Sequence, residues 1–207
     1  VSTGHTLTKV VDDFVKDYKA EDAEFVTYQP LSDADMEKLE QEYDVILEHS
    51  WYKDVNVESG DLKGATIRVF PMPEKLNLCE VRDGHEPGDG EALLTQDFAD
   101  VHDIKVGDTV SLGAYDYKVS AYTTKADYIY MLEKLSGYID SEKFALIVVD
   151  RKEYDKIEAN EASYYSIKYN KDNSKAVREK LNANYVIASY MAATTNMRIS
   201  MPVNEGD

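Results

Sequence analysis

Only one cysteine, Cys79, occurs among the 207 residues. That excludes an internal disulfide and every multi-cysteine zinc signature. It suits the cytosol, and equally the exterior of bacteria that rarely use disulfides. No apolar run approaches the roughly 20 residues a membrane helix needs. The first residues, "VSTGHTLTKVV", lack the basic start and long apolar core of a signal peptide. The chain begins on Val1 rather than Met and reads as a piece excised or processed from a longer product. Positive charge is scarce: 23 Lys and Arg stand against 40 Asp and Glu, a net charge of −17. Nucleic acid and anionic membrane surfaces both need clustered cations, so neither is an expected partner. Catalytic signatures are missing too. There is no GxSxG elbow, no Ser-x-x-Lys set, no GxGxxG or Walker A loop and no HExxH.

What is present suffices for a packed core, since 43% of the residues are hydrophobic. "HTLTKVVDDFVKDY" places Leu7, Val10, Val11, Phe14, Val15 and Tyr18 on one face of a helix. "EDAEFVTYQP" reads as a strand stopped by Pro30. Ser32 then caps a helix with Asp33 and Asp35 in its first turn and Met36, Leu39 and Tyr43 on its inner face. "VILEHSWYKDVNVE" and "ATIRVF" read as a hairpin, closed off by Pro71 and Pro73. The composition shifts to turn residues at "RDGHEPGDG". A short strand "EALLT", a helix capped by Thr95, and the β unit "VGDTVSLGAYDYKVSAYTT" follow. "ADYIYMLEKLSGYID" fits either an extended segment or a short helix. "FALIVVD" has the continuous apolar run of a strand buried on both faces. "RKEYDKIEA", "SYYSIKY" and "SKAVREKLNANY" then read as helix, strand and helix, the last with Val177 and Leu181 inward. The order predicts an α+β fold: an α/β sandwich formed by 28–81 and 144–207, with a β-rich subdomain, 82–143, inserted into it. Residues 1–27 are set apart for the N-terminal amphipathic helix.

Chemistry-bearing residues carry little specificity. Asp83, His85, Glu86, Asp89 and Glu91 share one loop and could hold a divalent ion, but their spacing matches no EF-hand or zinc pattern. An acidic surface turn explains them, and no metal, cofactor or catalytic residue is expected. Cys79 sits in the alternating "LNLCEVR" and reads as a small buried residue. Trp51 and Tyr52 could form a platform for sugar or peptide, although an amphipathic strand favours packing.

The ordered motifs resemble a known family. "YKAEDAEFVTYQPLSDADMEKLEQEYDVILEHSWYKDV" is similar to the segment after the first transmembrane helix of FtsX/MacB-like ABC-transporter permeases. "VRDGHEPGDGEALLTQDFADVHDIKVGDTVSLGAYDYKVSAYTTKADYIYM" is similar to a later stretch of the same domain. There the resemblance is carried by Gly84, Pro87, Glu91, Phe98, Ala99, Gly107, Asp108, Val119, Asp127 and Tyr128. It spans about Asp17 to Asp150. It implies a bacterial permease's extracytoplasmic domain, lying outside the cell membrane between two membrane helices. The N-terminal helix would continue from one membrane helix, and the tail from Met191 would lead to the next. Such a domain is no enzyme. It would couple a separate cytoplasmic ATPase to export or handling of a lipid-linked or peptide substrate, or to an extracellular partner protein. Tyr128 and Tyr130, outside the hydrophobic stripes, are the candidate contacts for that partner. The alternatives are a secreted or surface metal-dependent enzyme using the Asp83–Glu91 loop, and a free-standing ligand-binding sensor domain.

Overall fold

A computed structural model of the chain describes the backbone of residues 3–200 and the side chains of 9–200. Its centre is a ten-stranded mixed sheet, the α+β class expected from the sequence. The elements in chain order are α1 (Thr3–Asp17), β1 (Ala23–Thr27), α2 (Asp33–Tyr43), β2 (Val45–Asn56), β3 (Thr66–Pro71), β4 (Cys79–Arg82) and β5 (Glu91–Thr95). After these come α3 (Gln96–Val101), β6 (Thr109–Ser111), β7 (Asp116–Lys125), β8 (Phe144–Val149), α4 (Arg151–Asp155), β9 (Glu161–Tyr169), α5 (Ser174–Tyr185) and β10 (Ile187–Ala192). The sheet order is β10-β1-β9-β2-β3-β8-β5-β7-β4, with β6 on β7. β3–β8 and β5–β7 are parallel, and the other pairs are antiparallel.

Local chemistry accounts for some element ends. Ser32 Oγ accepts the Asp35 N–H at 3.1 Å while Asp35 accepts the Ser32 N–H at 3.0 Å, a reciprocal cap that starts α2. Thr95 stands at the start of α3 but does not cap it with its side chain. Its hydroxyl instead accepts the Leu146 N–H of β8 at 3.2 Å, because burial between strands offers it an orphaned main-chain donor. At the β6–β7 unit Gly107 has φ +97°, and Asp108 accepts the Lys105 N–H at 2.8 Å, so glycine and aspartate shape the turn together. The segment 126–143 forms neither helix nor strand.

The sheet does not break where a subdomain boundary was expected. Leu93 and Leu94 of β5 pair with Val148 and Ile147 of β8 across it. Ile67, Val69, Ala145 and Ile147 also share one core with Ala92, Leu94, Phe98 and Val119. Thus 57–71 and 144–157 pack with the middle of the chain, because β8 is apolar on both faces and must lie centrally. A second core gathers Phe25, Leu47 and Ile167 of β1, β2 and β9 under Met36, Leu39, Val177 and Leu181 of α2 and α5. A third, on the opposite face, holds Phe70, Leu146, Val148 and Tyr164.

The N-terminal helix ends at Asp17, and residues 23–27 of the span first given to it form a strand inside the sheet. None of its described side chains enters a core. Val10 is 60% exposed, with Val11, Phe14 and Val15 half-buried. Residues 1–2, where it would continue from a membrane helix, and 201–207, where the tail would lead to the next, lie outside the described residues. Among the described residues no helix is long and apolar enough to cross a membrane. The chain enters and leaves the sheet at one place: Ala23 pairs with Ala192, and the Ala193 N–H donates to the Asp22 carbonyl at 2.8 Å.

Candidate functional site

β2 is paired with β9 along Val45–Lys53, but with β3 only along Lys53–Asn56. Pro71 ends β3 and Pro73 follows, so the chain there cannot supply the N–H groups that would extend the ladder. A cleft of about 990 Å³ opens between this stretch of β2, α2 and the 70–75 loop. Glu48 fixes the loop, its carboxylate accepting the N–H groups of Glu74, Lys75 and Leu76. Burial raises the Glu48 carboxyl even so, because those N–H bonds recover only part of the lost hydration.

His49 and Trp51 line the cleft. The imidazole stacks on Tyr165, with centroids 4.2 Å apart, and meets the Trp51 ring at a tilt, 4.0 Å away. Its Nε2 is buried without a partner, and burial holds its pKa below the ordinary value. The Arg151 guanidinium lies 4.7 Å from the Trp51 ring, a cation–π contact. Asp33, Glu37, Glu40 and Glu74 bring carboxylates to the lining, and Lys75 pairs with Glu40 at 3.0 Å. Tyr52, next to Trp51, faces the other side of the sheet, where Arg68 stacks over its ring at 4.3 Å. The dipeptide is therefore not one platform: Trp51 belongs to the cleft and Tyr52 to packing.

Lys125, also on the cleft lining, leads into a buried polar network. Its ammonium lies 2.6 Å from Asp127 Oδ1, and the two side chains are 2% and 1% exposed. Burial opposes the Lys125 charge, but neighbouring Asp127 outweighs it and the pKa ends above normal. Asp127 Oδ2 accepts the Tyr164 hydroxyl at 2.7 Å. Glu21 Oε1 accepts from Asn77 at 2.9 Å and Ser166 at 2.8 Å. Carboxylate oxygens of Glu21, Glu24 and Asp127 lie within 4.8 Å of one another. Burial, then the charges of Glu24 and Asp127, push Glu21 well above the carboxylate range. These three are the residues that could hold a metal. No motif announced them, since more than a hundred residues separate Glu24 from Asp127 and nothing in "EDAEF" marks Glu21 as buried.

The residues singled out from sequence fare differently. Tyr128 does not face solvent. It is 3% exposed, its ring meets Phe70 edge-on, and its hydroxyl accepts from Arg68 at 3.0 Å. The reason is local: Arg68 and Arg198 both donate to the Glu133 carbonyl and draw the irregular 128–133 segment onto the sheet. Tyr130 is half-buried, and its N–H donates to the Arg198 carbonyl. The exposed tyrosine of this region is Tyr138, at 82%. In the acidic loop the His85 ring bonds Glu91, at 3.1 Å, and Asp83, Glu86 and Asp89 join no group of three metal-ligating side chains among the described residues. Cys79 is half-buried, and burial pushes its thiol up to about 12, far from a reactive thiolate. His102 Nε2 bonds the Glu142 carbonyl, and among the described residues the ring bonds no carboxylate.

The large mixed sheet with its helices is an α+β fold of the kind found in a solved periplasmic domain. The periplasmic region of MacB from Actinobacillus actinomycetemcomitans is similar over 88% of this chain and 94% of its own, at 11% identity and a TM-score of 0.50. A Bacillus anthracis chain assigned as a lipoprotein aligns over 82% of this chain and 96% of its own, at 10% identity and a TM-score of 0.38. No family model matches the chain, and no curated protein does.

Proposed function

We infer that this chain is the extracytoplasmic domain of an FtsX/MacB-like ABC-transporter permease. It is non-catalytic. It couples ATP hydrolysis by a cytoplasmic subunit to the export or handling of a lipid-linked or peptide substrate, or to an extracellular protein. The observation that carries this reading is the adjacency of Asp22 and Ala193 within a MacB-like fold. A domain spliced between consecutive membrane helices needs its two ends on one side, and the side-by-side entry and exit of the sheet at the edge pair β1–β10 supports that arrangement. The cleft takes the place of Tyr128 in the contact region, because His49, Trp51 and carboxylates line an opening whereas Tyr128 is buried in the core; half-buried Tyr130 stays a candidate contact.

The test uses the intact parent protein in its native cells. Tyr138→Cys places a thiol on an exposed loop, while native Cys79 stays unreactive. A membrane-impermeant maleimide should label Tyr138→Cys in intact cells, on a polypeptide that sediments with membranes. Labelling only after lysis would overturn the reading.

A further inference from the structure

We propose that Glu21, Glu24 and Asp127 form a binding site for a hard divalent cation of the calcium, manganese or magnesium type. Two observations meet there. Three carboxylates offer oxygens within 4.8 Å of one another. Bonds of 2.3–2.6 Å place the oxygens around one calcium ion up to about 5 Å apart, so the spacing fits a shared ion. Independently, Glu21 is 2% exposed and only half satisfied. Its Oε1 takes two hydrogen bonds, whereas its Oε2 is buried with no partner. That oxygen is the one left for Glu24 and Asp127. A buried carboxylate oxygen with nothing to accept from is costly unless a cation or proton faces it.

Charge and donor type point the same way. Lys125 is the ammonium bonded to the group among the described residues, through Asp127, and the Arg198 charge also acts on Glu24, so two cations face three carboxylates and the group stays short of positive charge. Asp127 keeps lone pairs to spare, since each of its oxygens accepts a single hydrogen bond, from Lys125 and from Tyr164. The ligand set is all oxygen, which suits hard cations rather than zinc or copper. Water would complete the shell. The position gives the ion a structural role. Glu21 and Glu24 lie where the chain enters β1, and Asp127 opens the irregular segment that Arg68 and Arg198 hold down. A bound ion would pin the foot of the domain to its core, making the junction with α1 responsive to divalent cations outside the cell. The site itself stands independently of the transport reading.

The 207-residue chain is stripped with chelator, then titrated with calcium, manganese or magnesium chloride while Tm is read. At a hundredfold excess over Kd, at least one cation should raise Tm by roughly 5–10 °C. Glu24→Gln and Glu21→Gln should abolish the rise. In both variants an amide can donate across the Glu21–Glu24 gap, so their ion-free Tm should equal or exceed that of the wild type. As a second readout, terbium emission excited through Tyr164, bonded to Asp127, should appear in the wild type, fall on adding calcium, and be absent from both variants. No Tm rise with any of the three cations and no terbium emission would overturn the proposal and leave a proton between the carboxylates. A rise that persists in both variants would place the ion elsewhere and overturn it equally.

Discussion

Replacing Tyr128 by Phe and by Ala should separate two contributions of a side chain that the sequence placed at the surface. Phe removes only the hydroxyl that accepts from Arg68 at 3.0 Å. Arg68 keeps both bonds to Asp54, at 2.8 and 3.0 Å, and its bond to the Glu133 carbonyl. The lost bond involves a charged donor, which sets the cost at about 1.5–3 kcal/mol. Ala also removes the ring, 3% exposed and set edge-on to Phe70 at 5.5 Å. Emptying a buried aromatic site costs about 3–5 kcal/mol. For a domain of this size the Ala change should lower Tm by roughly 6–20 °C. Urea unfolding followed by circular dichroism gives both free energies. Tyr138→Ala, at the exposed end of the same segment, should stay within about 0.5 kcal/mol of wild type. A Tyr128→Ala protein within about 1 kcal/mol of wild type would show that the ring is not in the core.

Gly84→Ala would set a Cβ 1.8 Å from the Ser120 carbonyl oxygen, which also accepts the His85 N–H, so the turn must move and that bond must break. Urea unfolding should report a loss of about 2–4 kcal/mol; a neutral result would contradict the packing of this turn. A Cβ added at Gly107 meets no atom within 4 Å, so the φ of +97° should set the cost of Gly107→Val, about 1–3 kcal/mol by the same assay. His49 is neutral in the fold because burial depresses its pKa, with Arg151 adding to the effect while Asp33 and Glu161 oppose it. The unfolded chain therefore binds the proton first. The His49 contribution is complete above the ordinary histidine value of about 6.5 and is lost as pH falls through the folded pKa. The stability difference between wild type and His49→Gln should narrow as pH is lowered from 7.5 to 5.5; an unchanged difference would mean the imidazole does not titrate anomalously.

Strands and helices with one clear period were legible in the sequence. The alternation of "VILEHSWYKDVN" and the unbroken "FALIVV" both correspond to strands in the sheet. The Ser32–Asp35 cap could be read from four residues. Position in the sheet could not be read: β8 was assigned to one subdomain, although it joins β3 to β5, because a strand's neighbours are set by distant partners. Tyr128 looked exposed because nothing local reveals the two arginines, at 68 and 198, that hold its segment down. The carboxylate cluster was hidden for the same reason. Glu21, Glu24 and Asp127 look like ordinary charges in an acidic chain until the fold buries two of them and brings all three together. The cleft arises where Pro71 and Pro73 stop β3. Those prolines were visible as a strand end, but not as an opening beside β2.

Co-purification tests the transporter reading most directly. The parent polypeptide, tagged at its native locus, is extracted from membranes in mild detergent and its associated ATP hydrolysis is measured. The account predicts recovery from the membrane fraction together with an ATPase subunit, or with an ATPase domain on the same chain. It also predicts that hydrolysis persists in a Trp51→Ala, Arg151→Ala variant whose cleft is altered, because on this reading nucleotide chemistry would lie on the other side of the membrane. Recovery as a water-soluble protein, or from membranes without any ATPase, would contradict it.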